Sequence, residues 1–576
     1  MAPLAEKYES ERGVKMRKLQ VWCIAISCVA LAMAAMADID PQGAYKKKYI
    51  AFGWANAYLT PQDFIDHVAE FEKTPLDGVG VNVLGDKAAG RRYQCFREIV
   101  GTPRWTRKSL ANMVTPLRKM TSYRCFRESF ISGWMPPKER LSWTDDDAWS
   151  VASNNLRCVA WLAREGNMRG VSWDIEDYTV QKQFFRRPGD PAYDELLKIV
   201  RRRGREIFGG IFEEFPDITM FMFWILSDAP YRHMEVNVSD MMRARGDLWF
   251  AFVNGILDVM PPTATLVDGE EDGYRFEAAR RDYLVTYTRI FNWDLPLIAE
   301  ENRVKYLSQV SPSVGQYLDM YMSTDPKSSW YFGPVDGSKL KHIAMNVRQA
   351  TSASKEYVWF WSEKGMWAHW SQELRDDPER LCRGAKYVWD DVLPGVNKLL
   401  KSIKDPNGYL RPNLERLIAD GQLQSLIDCE SMPTWKADAP KGKDGQKMVA
   451  PGRFFKDGKE LCAEGVVYGG CYSQIIADVA PGTVFFVKGL VKGEHATVGA
   501  NFKDVNARWV YGPKYLFAPG CPDAEGWREV AAFFEIPANG RQLSLSLNVG
   551  NQESGEVARF RDFGLYNVTA SEAWPK

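Results

Sequence analysis

Between residues 48 and 365, short apolar runs of strand-like composition recur and alternate with longer amphipathic stretches. The runs are Tyr49–Trp54, Gly78–Leu84, Tyr123–Ile131, Gly170–Glu176, Ile218–Leu226, Ala264–Asp268, Gly315–Met322 and Tyr357–Trp361. Helical periodicity lies between them, at Pro61–Lys73, Arg107–Met120, Asp146–Glu165, Tyr193–Phe215 and Lys339–Ser354. Eight strands, most followed by a helix, predict an α/β fold of the (β/α)8 TIM-barrel kind over residues 38–365. A doubly wound open sheet would carry a glycine-rich turn after its first strand. No GxGxxG stands there, and no Walker A sequence occurs in the chain.

The pattern then changes twice. Residues 366–428 read as a helical brace, with Gln372–Val388 and Leu414–Ile427 its clearest stretches. From residue 429 to 576, Gly, Pro and short alternating runs take over: Cys471–Ala477, Thr483–Lys488, Glu529–Ile536, Gln542–Val549 and Ala558–Tyr566. Short strands separated by turn signals predict an all-β sandwich of the jelly-roll kind.

Residues 1–37 read as a signal peptide with an N-terminal extension. Met16-Arg17-Lys18 precedes an apolar run from Val21 to Ala35, and Ala35-Met36-Ala37 supplies a small-x-small cleavage site before Asp38. The run is short for a membrane span. Export, secreted or periplasmic, is therefore expected, without stable membrane insertion. Cys95, Cys125, Cys158, Cys382, Cys429, Cys462, Cys471 and Cys521 follow the cleavage point, and in an exported protein their even number permits disulfides. No CxxC pair exists and the five His lack metal-ligand spacing, so neither a metal nor a cofactor is expected. Lys+Arg and Asp+Glu are both 74, which shows none of the basic excess typical of nucleic-acid binding. With 21 Trp, 24 Tyr and 29 Phe, the chain has flat apolar surface to spare for sugar rings, beyond what large cores take up.

Barrel active sites lie at the C-terminal strand ends, so acids there carry most of the information. The fourth run, Gly170-Val171-Ser172-Trp173-Asp174-Ile175-Glu176, puts Ser172, Asp174 and Glu176 on one strand face. Two carboxylates on one face raise each other's proton affinity, which suits a general acid; ion pairs with barrel arginines are the structural alternative. The sixth run ends in Asp268-Gly269-Glu270-Glu271-Asp272-Gly273, read as a second catalytic carboxylate (Asp268 or Glu270), a solvated turn or a calcium loop. The eighth places Trp359, Trp361 and Glu363 on one face; Trp361 is a sugar-platform candidate, and Glu363 a hydroxyl ligand or second acid. Trp54, Asn82, Trp224 and Tyr321 complete the expected substrate-binding set, with Asn56, Glu128, Asp228, His233 and Asp319 as further cleft residues. No GxSxG elbow or triad-like histidine offers a nucleophile instead.

The fourth run resembles the signature of family 18 glycoside hydrolases, Asp-x-x-Asp-x-Asp-x-Glu. The resemblance implies that Glu176 donates the proton and that Asp174 orients a substrate acetamido group. Ser172 and Arg169 stand where the other two acids of the signature would be. Acids after strands four and six are also similar in layout to barrel glycosidases of the alpha-galactosidase kind. Residues 430–570 resemble carbohydrate-binding modules of families 4, 9 and 22, through Gly469–Gln474, Val479–Thr483, Trp527–Val530 and Phe533–Ala538. Phe560-Arg561-Asp562 departs from the Phe-Asp-Asp of such modules. Trp435, Trp509 and Trp527 are its platform candidates, with core packing the alternative for Trp527. The expectation is a secreted glycosidase acting on a poly- or oligosaccharide, and the alternative is a carbohydrate-binding protein on a degenerate barrel.

Overall fold

The computed structural model describes residues 46–55, 59–83, 99–100, 103–134, 137, 139–178, 182–227, 237–278, 282–376, 384–438, 451–510, 515–517 and 519–574. The expected signal segment, Leu84, Asn56, Asp228, His233, Cys95 and Cys382 lie outside these residues. The described residues divide into two compact units, residues 47–423 with 570–574, and residues 424–569.

The first unit is built on one parallel sheet. Its strands are β1 (Lys48–Phe52), β2 (Gly78–Val81), β3 (Phe130–Trp134), β4 (Gly170–Asp174), β5 (Thr219–Met222), β6 (Thr265–Asp268), β7 (Val310–Pro312), β8 (Val314–Tyr317) and β9 (Tyr357–Trp361). They pair in the order β7-β6-β5-β4-β3-β2-β1-β9-β8. Because only Ser313 separates β7 from β8, the two ends of the sheet are consecutive segments of one stave, and the sheet closes into the (β/α)8 barrel. Ser313 serves both neighbours: its N–H donates to Asp268 O at 2.8 Å and its hydroxyl to Tyr357 O at 2.7 Å.

The interior is packed rather than open. Phe52, Phe130 and Phe221 meet with ring centroids 5.1–6.2 Å apart, and Phe223 stacks on Trp359 at 4.5 Å. Bulky side chains from alternate strands filling the bore are the general solution for an eight-stave barrel. Trp173, one position from the inward-facing Ser172 and Asp174, packs outward against Phe208 of the helix Tyr193–Glu214. That helix and Asp146–Glu165 follow the sequence periodicity closely; the latter starts where the Asp145 carboxylate accepts from Ala148 N at 3.0 Å.

Some elements differ from expectation. The stretch Pro61–Lys73 is two short helices, Pro61–Asp66 and Val68–Phe71, broken at His67. The third strand begins at Phe130, because Arg124–Phe126 coils into a 3-10 turn. Leu318–Met322 likewise forms a 3-10 turn beyond β8. Within the expected helical brace, Gln372–Asp376 is helical, whereas Tyr387–Val388 pairs in parallel with Gly365–Met366. Residues 366–423 belong to the barrel unit rather than forming a linker.

The second unit is a sandwich of two five-stranded antiparallel sheets. One orders Thr434–Lys436, Gly470–Ile476, Gln542–Val549, Ala496–Lys503 and Tyr515–Phe517; the other orders Arg453–Asp457, Glu460–Glu464, Val557–Asn567, Val484–Lys492 and Arg528–Glu535. Alternation supplies its core: Leu543, Leu545, Leu547, Val498, Ala500 and Phe502 are buried, while Trp435, Ile475 and Leu516 are exposed. Cys125, Cys158, Cys429, Cys462, Cys471 and Cys521 are free thiols. Among the described residues, no helix is long and apolar enough to cross a membrane.

Candidate active site

A cavity of about 850 Å³ opens at the C-terminal mouth of the barrel. Its wall is built from the residues that follow the strands. Asp174, Glu176 and Tyr178 come from β4, Trp224 from β5, Glu271, Asp272 and Tyr274 from β6, Tyr317 and Asp319 from β8, and Trp361 and Glu363 from β9.

The floor depends on a glycine. Gly53, at φ +120°, lies so close to the end of β9 that a Cβ would meet Ser362 O at 2.0 Å. With no side chain there, β1 and β9 run together to their ends, and Trp54 sets edge-on to Trp361 at 6.0 Å between centroids. Trp361 also meets Phe223 edge-on at 5.5 Å, so core packing holds its ring in place.

The acidic pair sits on the adjacent wall. Asp174 is buried and Glu176 half-buried. The Glu176 N–H donates to Asp174 Oδ1 at 2.9 Å, and the Tyr178 hydroxyl donates to Glu176 Oε2. Burial, followed by the charge of Glu176, pushes the Asp174 carboxyl up to about 8. Asp174 therefore holds a proton to higher pH than an ordinary aspartate, beside a more exposed carboxyl group. Tyr274 is buried, and its phenol is held well above the ordinary value, first by burial and then by the acidic groups of Glu271, Asp174 and Glu176. Its hydroxyl meets no hydrogen-bond partner among the described residues.

The opposite wall is organised by Asp319. Its Oδ2 accepts from Glu363 N at 2.6 Å and Lys364 N at 3.2 Å, and its Oδ1 accepts from the Tyr387 hydroxyl at 2.6 Å. Asp319 thus fixes the main chain that presents Glu363. Arg275 and Trp330 add a polar–aromatic rim, the guanidinium 4.2 Å from the ring centroid.

Of the expected site residues, the structure brings together Glu176, Asp174, Trp54, Trp224, Trp361 and Glu363 around this cavity. Asp319, also expected at the cleft, joins them, whereas Asp268, Glu270, Tyr321, Asn82 and Glu128 do not line it. Asp268 is fully buried beneath the mouth, accepting from Ser227 Oγ at 2.6 Å and from the N–H groups of Leu226, Ser227 and Glu270 at 3.2–3.3 Å. Glu270 is also fully buried, paired with Arg289 at 2.7 Å. It has φ +41°, so the chain turns sharply after β6 and the next acids, Glu271 and Asp272, face the cavity instead. Burial raises the carboxyls of both Asp268 and Glu270. Tyr321 is buried with its hydroxyl on Asn346, and Asn82 is buried off the cavity. Glu128 precedes β3 at the other pole of the barrel, in ion pairs with Lys48 at 3.3 Å and Arg169 at 3.5 Å. Tyr178, Tyr274 and Trp330 had no assigned role in the sequence; the signal for Tyr274 was an aromatic residue closing the acidic glycine turn after a barrel strand. Among the described residues, no cluster of three His, Cys, Asp or Glu could hold a metal ion.

No protein-family model matches the chain, and no curated protein sequence is similar to it. Among solved structures, the chain is similar to a GH18 chitinase from Pseudoalteromonas aurantia, at 11% identity and TM-score 0.27, over 55% of this chain and 94% of that one. It is similar at 12% identity and TM-score 0.17 to the CBM22-1–GH10 modules of a Clostridium thermocellum endo-1,4-beta-D-xylanase, over 25% of this chain. A third similarity, at 14% identity and TM-score 0.19, is to the enzymatically active domain of the bacteriophage CBA120 tailspike protein 4, over 24% of this chain. The chain spans 28% of the xylanase structure's length and 19% of the tailspike domain's.

Proposed function

We propose that the protein is an exported glycoside hydrolase that cleaves O-glycosidic bonds of a poly- or oligosaccharide at the barrel mouth. The observation that carries this reading is the Asp174–Glu176 pair, joined by the Glu176 N–H on Asp174 Oδ1 at 2.9 Å, on the wall of a cavity floored by Trp361. Glycosidic cleavage needs a proton for the departing oxygen and stabilisation of positive charge on the ring. Glu176 is the proton donor in this reading. Asp174, holding its own proton, donates a hydrogen bond to substrate or to Glu176 as charge develops. Glu363, across the barrel from Glu176 and fixed by Asp319, is the second carboxylate. Trp361, Trp54 and Trp224 give the ring faces their apolar contact, and the surrounding carboxylates take its hydroxyls. The sandwich, with Trp435 and Trp509 exposed, keeps polymer near the site and raises its effective concentration.

A panel of aryl glycosides and polysaccharides, read by released sugar, tests this. Release by wild type on at least one substrate, lost in Glu176→Gln and in Glu363→Gln, is expected. A second reading, a non-catalytic carbohydrate-binding protein, is favoured by the two departures from the family 18 pattern. Ser172 is buried, and Arg169 is committed to the far pole of the barrel through the Tyr357 hydroxyl at 3.2 Å and Glu128. Binding without turnover on every substrate would decide for that reading.

A further inference from the structure

A second cavity, about 320 Å³, lies between the loops that follow β4 and β5, and shares Glu176, Tyr178 and Trp224 with the first. Its chemistry is different. With Ile175, Ile225 and Trp224, the residues Phe184, Phe185, Trp249, Phe250, Met242 and Leu226 make its wall predominantly apolar. Besides Glu176, its charged residues are Asp177 and Asp247, which accept from Gln183 N at 2.5 Å and Trp249 N at 2.9 Å, Lys182, set over the Phe185 ring at 5.6 Å, and Arg245. A pyranose presents a hydroxyl on nearly every carbon and needs a polar partner for each one buried. The larger cavity, with Asp319, Glu363, Glu271 and Asp272, supplies such partners; the smaller one is lined chiefly by rings and alkyl groups.

A proton donor must stand beside the glycosidic oxygen, with the glycone on one side and the leaving group on the other. Glu176 stands on the wall common to both cavities. Resting on the hydrolase reading above, we infer that the smaller cavity is a leaving-group subsite that accepts an apolar aglycone, aromatic or alkyl, carried by the saccharide held in the larger cavity. Trp224 is then the partition between glycone and aglycone. The volume is at the lower end of ligand pockets and suits a fused bicyclic ring or a medium alkyl chain. Across the reaction Glu176 gives its proton to the glycosidic oxygen, the C1–O bond breaks and the aglycone leaves as a neutral alcohol or phenol, while a water oxygen bonds to C1 and its proton goes to a carboxylate of the cavity, so that the sugar is released as the free hemiacetal.

Two measurements on the full chain test the assignment. The first is direct binding of 4-methylumbelliferone, a leaving group on its own, followed by calorimetry in wild type, Met242→Trp and Phe185→Ala. Met242→Trp fills the cavity from the helix Val238–Arg245, and Phe185→Ala removes wall surface at its edge. Binding in wild type, weakened about tenfold or more in both variants, is expected. The second is the ratio of kcat/KM for octyl over methyl glycosides of one sugar, expected to fall about tenfold in Met242→Trp. No binding by wild type, or binding unmoved in both variants, overturns the assignment. Hydrolysis of both glycosides with an unmoved ratio overturns the subsite and leaves the hydrolase reading standing. Binding lost in the variants, with no glycoside turned over by wild type, overturns the hydrolase reading and the leaving-group role with it.

Discussion

The N–H of Glu176 donates to Asp174 Oδ1 at 2.9 Å. The hydrogen bond ties the backbone of one acid to the side chain of the other, two positions apart on β4 and the residues that follow it. Their carboxyl groups therefore share the mouth of the barrel and cannot both ionise there without cost. Burial, greatest at Asp174, raises that carboxyl's affinity for a proton.

A pH dependence of stability follows. In the unfolded chain Asp174 titrates near its ordinary 3.8, and in the fold it holds its proton to about 8. Between those values the native state binds more protons than the unfolded state, so this group's contribution to stability falls as pH rises from about 4 to 8. Asp174→Asn removes the dependence. Each tenfold difference in proton affinity between the folded and unfolded chain is worth about 1.4 kcal/mol. The variant's Tm should therefore gain on wild type by at least roughly 2–4 °C between pH 5 and pH 8. Thermal unfolding across that range checks it, and a Tm difference independent of pH would contradict it.

Asp268 is assigned to the scaffold. Removing it in Asp268→Ala strands the buried Ser227 hydroxyl and up to three N–H groups, at about 1–3 kcal/mol for each group left unsatisfied. Tm should drop by several degrees, while kcat/KM of the folded enzyme stays within about threefold of wild type. A loss of a hundredfold or more at unchanged Tm would return Asp268 to the chemistry.

The sixth strand also shows where the sequence stops being legible. Alternation and apolar runs reveal the eight staves, because each needs a buried, β-forming segment whatever its neighbours. They locate the mouth well enough to find Asp174, Glu176, Trp224 and Trp361. Which acid of Asp268-Gly269-Glu270-Glu271-Asp272 faces the cavity depends on the turn after β6. There Glu270 adopts φ +41° and pairs with Arg289, and no local pattern announces a tertiary ion pair. Tyr321 escapes sequence reasoning for the same reason. Leu318–Met322 coils into a 3-10 turn where alternation would continue the strand, so Asp319 faces inward and Tyr321 packs on Asn346. Glu128 falls outside the barrel mouth because its strand begins only two positions later, at Phe130.

On the hydrolase reading, Trp330, 40% exposed at the cavity rim with Arg275 over its ring, is expected to contribute to binding rather than folding. Trp330→Ala should raise KM for an oligosaccharide about tenfold with kcat little changed. Steady-state kinetics with a matched Tm measurement checks this; a fall in kcat at constant KM would contradict it.

Trp435 stands 60% exposed on the edge strand Thr434–Lys436. Trp435→Ala should weaken retention of the full chain on insoluble polysaccharide several-fold and leave hydrolysis of a small aryl glycoside unaltered. Pull-down on the polymer, with aryl glycoside rates in parallel, reads both. Equal retention of variant and wild type would remove the residue from polymer binding.

The central claim is that Glu176 delivers the proton to the departing oxygen. Its most direct measurement is the rate of Glu176→Gln against leaving groups of different acidity on one sugar. General-acid help is worth about 10²–10⁴-fold where the leaving group needs a proton. The variant should therefore lose at least a hundredfold on an alkyl glycoside and retain most of its rate on a 2,4-dinitrophenyl glycoside. Equal losses on both substrates, or no loss on either, would contradict the account.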